Sequence, residues 1–197
     1  MKRPLISFVL GLSLLLGFSP AVQAADERVI DIARITWAGA AEPVVTTTEI
    51  VSAIDNVVAP NWRNFTTISG DTRDKTISFS HGQTLGNPIR LLAPMACERS
   101  DFVGFMNTIR DEAYRQLGIS NWQERYLIIL SPANGCIWSG RASIGNVKNK
   151  GGVMVLHNNA SGFVITHELG HSLGLGHSNL LRCDNGAKDG AWRSEEH

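Results

Sequence analysis

The stretch His167-Glu168-Leu169-Gly170-His171-Ser172-Leu173-Gly174-Leu175-Gly176-His177 constrains this chain more than any other. His167 and His171 are four residues apart, and on an α-helix that spacing puts both imidazoles on one face, about a turn apart. His177 lies too far along to stay beside them on the same face. If the three rings are to meet, the helix has to stop and the chain has to turn back. Gly174 is the expected turning point, because glycine reaches the left-handed conformation that ends helices without steric cost. Gly176 adds freedom before His177. Leu169, Leu173 and Leu175 are the expected apolar side by which this unit packs onto its domain.

Three imidazoles brought to one point are the donor set of a catalytic zinc ion, which takes three protein ligands and keeps one position open. The expected metal ligands are therefore His167, His171 and His177, and the expected cofactor is Zn2+. Glu168 adjoins the first ligand, where its carboxylate reaches metal-bound water without itself binding the metal. It is the expected general base, taking a proton as the water attacks a carbonyl and passing it to the leaving amine. Three histidines, one glutamate and one glycine at fixed offsets arise by chance in roughly one in 10⁵ chains of this length, so incidental surface histidines are a poor account of the pattern. His81 and His197 read as ordinary polar residues. His157 ends a strand that enters the site region and is weighed as a site residue, against a structural hydrogen-bonding role.

The surroundings of the motif are those of an exported chain. Lys2 and Arg3 precede an apolar run from Leu5 to Phe18, and Ser19-Pro20-Ala21-Val22-Gln23-Ala24 follows with small residues at the cleavage positions. Residues 1–24 are thus expected to be a signal peptide cut after Ala24, leaving no stable membrane anchor. The run is short for a membrane span. Export makes the protein secreted or periplasmic and permits disulfides among Cys97, Cys136 and Cys183, with an odd thiol left over. The 18 basic and 18 acidic side chains balance, and no basic stripe is present, so nucleic acid is not an expected partner. An apolar fraction of 43% is enough for a real core.

Along the chain, residues 25–87 read as a β-rich or irregular N-terminal segment. Val29–Trp37 and Thr76–Ser80 are strand candidates, with a turn at Ser69-Gly70-Asp71. After residue 88, Ile89–Leu92 reads as a short strand. Ser100 is the expected cap of a helix that runs to Leu117 and stops at Gly118, with Phe102, Met106, Ile109, Ala113 and Leu117 as its core stripe. Tyr126–Leu130 and Val153–Leu156 read as buried strands, Asn134-Gly135 and Ser139-Gly140 as loops, and the motif helix comes last.

The motif resembles the metzincin clan of zinc endopeptidases. Thr166 to His177, with Leu180-Leu181-Arg182-Cys183 after it and Gly135-Cys136-Ile137-Trp138-Ser139-Gly140 upstream, looks like the gametolysin family and its bacterial relatives. The likeness covers roughly residues 88–185. Matrixins are the runner-up, because Ser178 is their usual residue after the third histidine. Yet the chain has no run of histidines and aspartates between residues 130 and 160, where a matrixin holds structural metals, and it lacks the matrixin propeptide cysteine motif. Cys97 therefore reads as a disulfide partner, with Cys136 as the mate considered and an inhibitory contact to zinc as the alternative.

The resemblance implies an α+β fold with an α/β-type upper subdomain: a twisted sheet, a backing helix and the active-site helix. It implies a secreted zinc-dependent endopeptidase that hydrolyses peptide bonds of extracellular or cell-wall proteins, with a protein or peptide as substrate. Residues 88–197 would be the catalytic domain, and residues 25–87 either a propeptide or a permanent part. One departure stands out. Metzincins carry a methionine turn after the third histidine, whereas the methionines here are Met1, Met95, Met106 and Met154. The polar stretch after His177 is not expected to form the usual C-terminal subdomain, so a truncated chain is expected, and a catalytically weak or inactive zinc-binding module is the alternative function.

Overall fold

The computed structural model describes residues 25–67, 76–97, 101–133, 136–148, 150–157 and 161–176, together with the backbone of two strands within 179–194. The architecture is α+β, built on one mixed sheet. Its strands are β1 (Asp26–Thr36), β2 (Ile77–Thr84), β3 (Ile89–Arg90), β4 (Arg125–Ser131), β5 (Gly140–Ala142) and β6 (Gly152–His157). They lie in the order β2-β1-β4-β6-β5, with β3 pairing the end of β1 beyond β2. All pairings are parallel except that of edge strand β5 with β6.

Strands buried on both faces should be continuous apolar runs, and β4 and β6 are: Tyr126 to Leu130 and Val153 to Leu156 are 0–1% exposed. Alternation sends their side chains to two cores. Ile30, Ile32, Tyr126, Ile128, Leu130, Met154 and Leu156 face one side. Ala33, Ile35, Leu127, Ile129, Val153 and Val155 face the other. Helix α3 (Phe102–Leu117) covers the second side with the expected stripe Phe102, Met106, Ile109 and Ala113. It ends at Gly118 in the left-handed conformation, φ 69°. Its N-cap position is Asp101, with no side-chain cap bond, and Ser100 lies outside the described residues.

The first side is where the structure corrects the reading of residues 25–87 as β-rich or irregular. Between β1 and β2 the chain is helical from Thr47 to Thr67: α1 (Thr47–Ala53), a π-helical stretch Ile54–Val58, then α2 (Ala59–Thr67). Thr46 opens it with a full capping box, its hydroxyl accepting from Glu49 N–H at 3.2 Å while Glu49 Oε2 accepts from Thr46 N–H at 2.8 Å. Ile50, Ile54, Val58 and Trp62 form a buried stripe at four-residue spacing. The motif helix α4 (Gly162–Ser172) lies on this same face, burying Ile165 and Leu169 against that stripe. Two long elements therefore carry α4, the sheet and the helix before β2.

Three smaller expectations are also corrected. Gly140 begins β5 instead of lying in a loop, because its backbone pairs with Leu156 of β6. The motif helix is not the last element: β7 (Asn179–Asp184) and β8 (Ala187–Ser194) form an antiparallel pair after it. Leu175 is 57% exposed, unlike Leu169 and Leu173, because the helix has already ended and the chain has turned away from the core. The expected turn at residues 69–71 and the loop at 134–135 lie outside the described residues. Among the described residues no helix is long and apolar enough to cross a membrane.

Candidate metal centre

Helix α4 starts at Ser161, whose hydroxyl accepts from Phe163 N–H at 3.3 Å. Its buried face carries Ile165, Glu168, Leu169 and Ser172, and its open face carries His167 and His171. The two imidazoles converge as their spacing requires. His167 Nε2 and His171 Nε2 are 3.1 Å apart, with the rings nearly perpendicular at 87°.

Leu173 caps the helix, and Gly174 reverses the chain at φ +93°. Two main-chain bonds lock the reversal: Gly174 N–H donates to His171 O at 2.9 Å and Leu175 N–H to Gly170 O at 2.9 Å. A third comes from the β5–β6 connection, where Gly145 N–H also donates to His171 O at 2.9 Å. The turn delivers the Leu175 carbonyl to 2.8 Å from His171 Nδ1. A carbonyl only accepts, so Nδ1 carries the proton there and the Nε2 lone pair is left facing His167. This is the outer-shell arrangement that orients a metal-binding histidine.

The pair fits one small cation. A tetrahedral zinc with bonds of 2.0–2.1 Å holds its nitrogen ligands about 3.3 Å apart, close to the spacing observed. Among the described residues no third His, Cys, Asp or Glu completes a group of three. His177, the third ligand expected from the sequence, lies outside the described residues.

Glu168 lies where α4 packs against Gly140 of β5, about 100° around the helix from His167 and about 60° from His171. It is 5% exposed, and Oε2 is buried with no hydrogen-bond partner among the described residues. Burial lifts its pKa to about 7, against the pull of the Arg141 charge. A buried carboxyl with an oxygen unpartnered is costly in a fold that needs it only for packing. Its presence one residue from a converging histidine pair is what a proton-transferring group requires.

The remaining titratable candidates fall elsewhere. His157 is buried on the α3 side of the sheet, its ring 5.7 Å from that of Trp138. Burial lowers its pKa while a bond with the Pro132 backbone acts to raise it. His81 shares a 3.0 Å hydrogen bond with Thr84 Oγ1. His197 lies outside the described residues. Cys97 is joined to Cys136, with Cα atoms 5.3 Å apart, which rules out Cys97 as a thiolate ligand in this form.

Sequence reasoning passed over two contributors, the Leu175 carbonyl and the Gly145 amide. Both act through the main chain, which no residue type announces.

No protein-family model matches the chain, and no curated protein sequence matches it. Among solved structures it is similar to metalloproteinase-II from Bacteroides fragilis, at 15% identity and a TM-score of 0.47, over 84% of this chain and 46% of that one. The chain thus spans less than half the length of that protein.

Proposed function

We propose that this chain is a secreted zinc-dependent endopeptidase of metzincin type that hydrolyses peptide bonds of extracellular or cell-wall proteins. The observation that carries the proposal is the 3.1 Å convergence of His167 and His171 Nε2 next to the buried carboxyl of Glu168, whose Oε2 has no hydrogen-bond partner among the described residues. His167, His171 and His177 would hold the metal, the last on the strength of its place in the motif. The Cys97–Cys136 bridge supports an oxidising compartment. Residues 25–87 would be a permanent part of the catalytic unit, since β1 and the helical run from Thr47 to Thr67 carry α4.

Bound zinc would supply a Lewis-acidic centre that makes water nucleophilic near neutral pH. The protein's own work is positional and protonic. The Leu175 carbonyl keeps the proton on His171 Nδ1 and so keeps Nε2 available as a donor. Glu168 takes the proton of the attacking water on a carboxylate oxygen and gives it to the amine that leaves when the C–N bond breaks. The apolar packing of α4 holds that carboxyl away from bulk water.

The test is Glu168→Gln. The variant should retain one zinc per chain by metal analysis and lose about 10³-fold in kcat on a protein substrate, the scale of general acid–base catalysis. Activity within a few-fold of the parent would refute the mechanism, and a correctly folded parent that binds no zinc would refute the function.

A further inference from the structure

We propose that Gly140 is a positioning residue for Glu168: edge strand β5 presents bare backbone to the carboxylate, and that bareness fixes where the carboxylate lies. The proposal rests on the reading of Glu168 as the proton-transferring group. In β5, alternation turns Gly140 and Ala142 toward α4 and Arg141 the other way. Arg141 donates to the Cys97 carbonyl at 3.0 Å, and its guanidinium lies 4.7 Å over the Phe102 ring. A methyl group at position 140 would sit 2.8 Å from both Cγ and Oε1 of Glu168 and 3.0 Å from Cδ. These separations are inside carbon–carbon and carbon–oxygen contact.

Glycine is needed here for space and not for conformation. The positive-φ glycines of the described residues are Gly39, Gly118, Gly151 and Gly174, so the backbone at 140 suits any residue. Nor can β5 retreat. It is paired with β6 from Gly140–Leu156 to Ala142–Met154. His157 N–H holds Ser139 O at 2.9 Å on one flank, and Ser143 N–H holds Val153 O at 2.9 Å on the other. The backbone of Glu168 is equally fixed, between Ile165 and Leu169, both 0% exposed. With both main chains held, a side chain at 140 would displace the carboxylate itself.

A double-mutant cycle in the metal-free protein reads this contact without any activity. Gly140→Ala should lower Tm by ~4 °C or more when Glu168 is present, and by ~1 °C or less in the Glu168→Ala background. In the zinc-loaded enzyme, Gly140→Ala should cut kcat at least ~10-fold, leaving KM within ~2-fold and zinc stoichiometry unchanged. Equal Tm shifts in the two backgrounds overturn the proposal, and so does an unchanged kcat in an active enzyme. Because the thermal cycle needs no catalysis, a parent chain that proves inactive would refute the proposed function while the contact is still tested. If Gly140→Ala alone fails to fold, recovery of folded protein on adding Glu168→Ala supports the proposal, and failure of both variants overturns it.

Discussion

At φ +93°, Gly174 holds a conformation that side chains rarely adopt, and a Cβ there would also stand 3.1 Å from the Gly145 carbonyl oxygen. The turn it makes is what brings the Leu175 carbonyl to His171 Nδ1. Gly174→Ala should therefore have two separable effects. The strained backbone should cost about 1–2 kcal/mol in urea unfolding of the metal-free protein. The displaced carbonyl should weaken zinc binding ~10–100-fold in a chelator competition, the usual scale for losing an outer-shell partner. A variant that loses stability but keeps full zinc affinity would show that the carbonyl does not orient the ring. At this scale the sequence was partly legible. The His167–His171 spacing and the Gly174 turn are local relations along one helix, and both are found. Gly140 meets Glu168 only through tertiary approach, and the Leu175 carbonyl acts through the main chain, which no residue type announces.

The helical run from Thr47 to Thr67 shows the same limit one scale up. Its first half is rich in β-branched residues: Thr47, Thr48, Ile50, Val51, Ile54, Val57 and Val58. Such residues favour strands, and Pro60 falls where a regular helix would lose a bond. The π stretch absorbs that defect. Ala59 N–H donates to Ile54 O, five residues back, immediately before the proline. Two cues to the helix were nevertheless present in the sequence, the Thr46–Glu49 capping box and the four-residue spacing of Ile50, Ile54, Val58 and Trp62. By contrast, β4 and β6 were readable because their apolar runs are too short for a buried helix and are bounded by Ser131-Pro132 and Gly151-Gly152. Ile54 is 0% exposed in the core beneath α4. Ile54→Ala should cost about 2–5 kcal/mol, measured by denaturant unfolding. A cost under about 1 kcal/mol would mean that this helix is not the packed floor of the site.

Over the whole molecule, the pieces that read differently in the sequence are joined in one sheet. β1 pairs with β2 from its own side of residue 88 and with β4 from the other. Charged contacts cross the same line. Arg28, 2% exposed, donates to Tyr126 Oη at 2.7 Å and to the Val147 carbonyl at 3.1 Å, and Asp26 bridges Arg28 and Lys150. These bonds strap the β5–β6 connection, whose Gly145 amide holds the end of α4, to the first strand of the sheet. Residues 88–197 expressed alone would expose the β4 edge where β1 pairs and one face of α4, with no helix to cover Ile165 and Leu169. They should give no cooperative thermal transition and little amide protection from hydrogen exchange. Adding residues 25–87 in trans should restore both if the interface alone drives assembly, since parallel pairing and the helix-on-helix core are its main contacts. A cooperative transition from 88–197 by itself would identify residues 25–87 as a detachable segment, as the propeptide alternative requires.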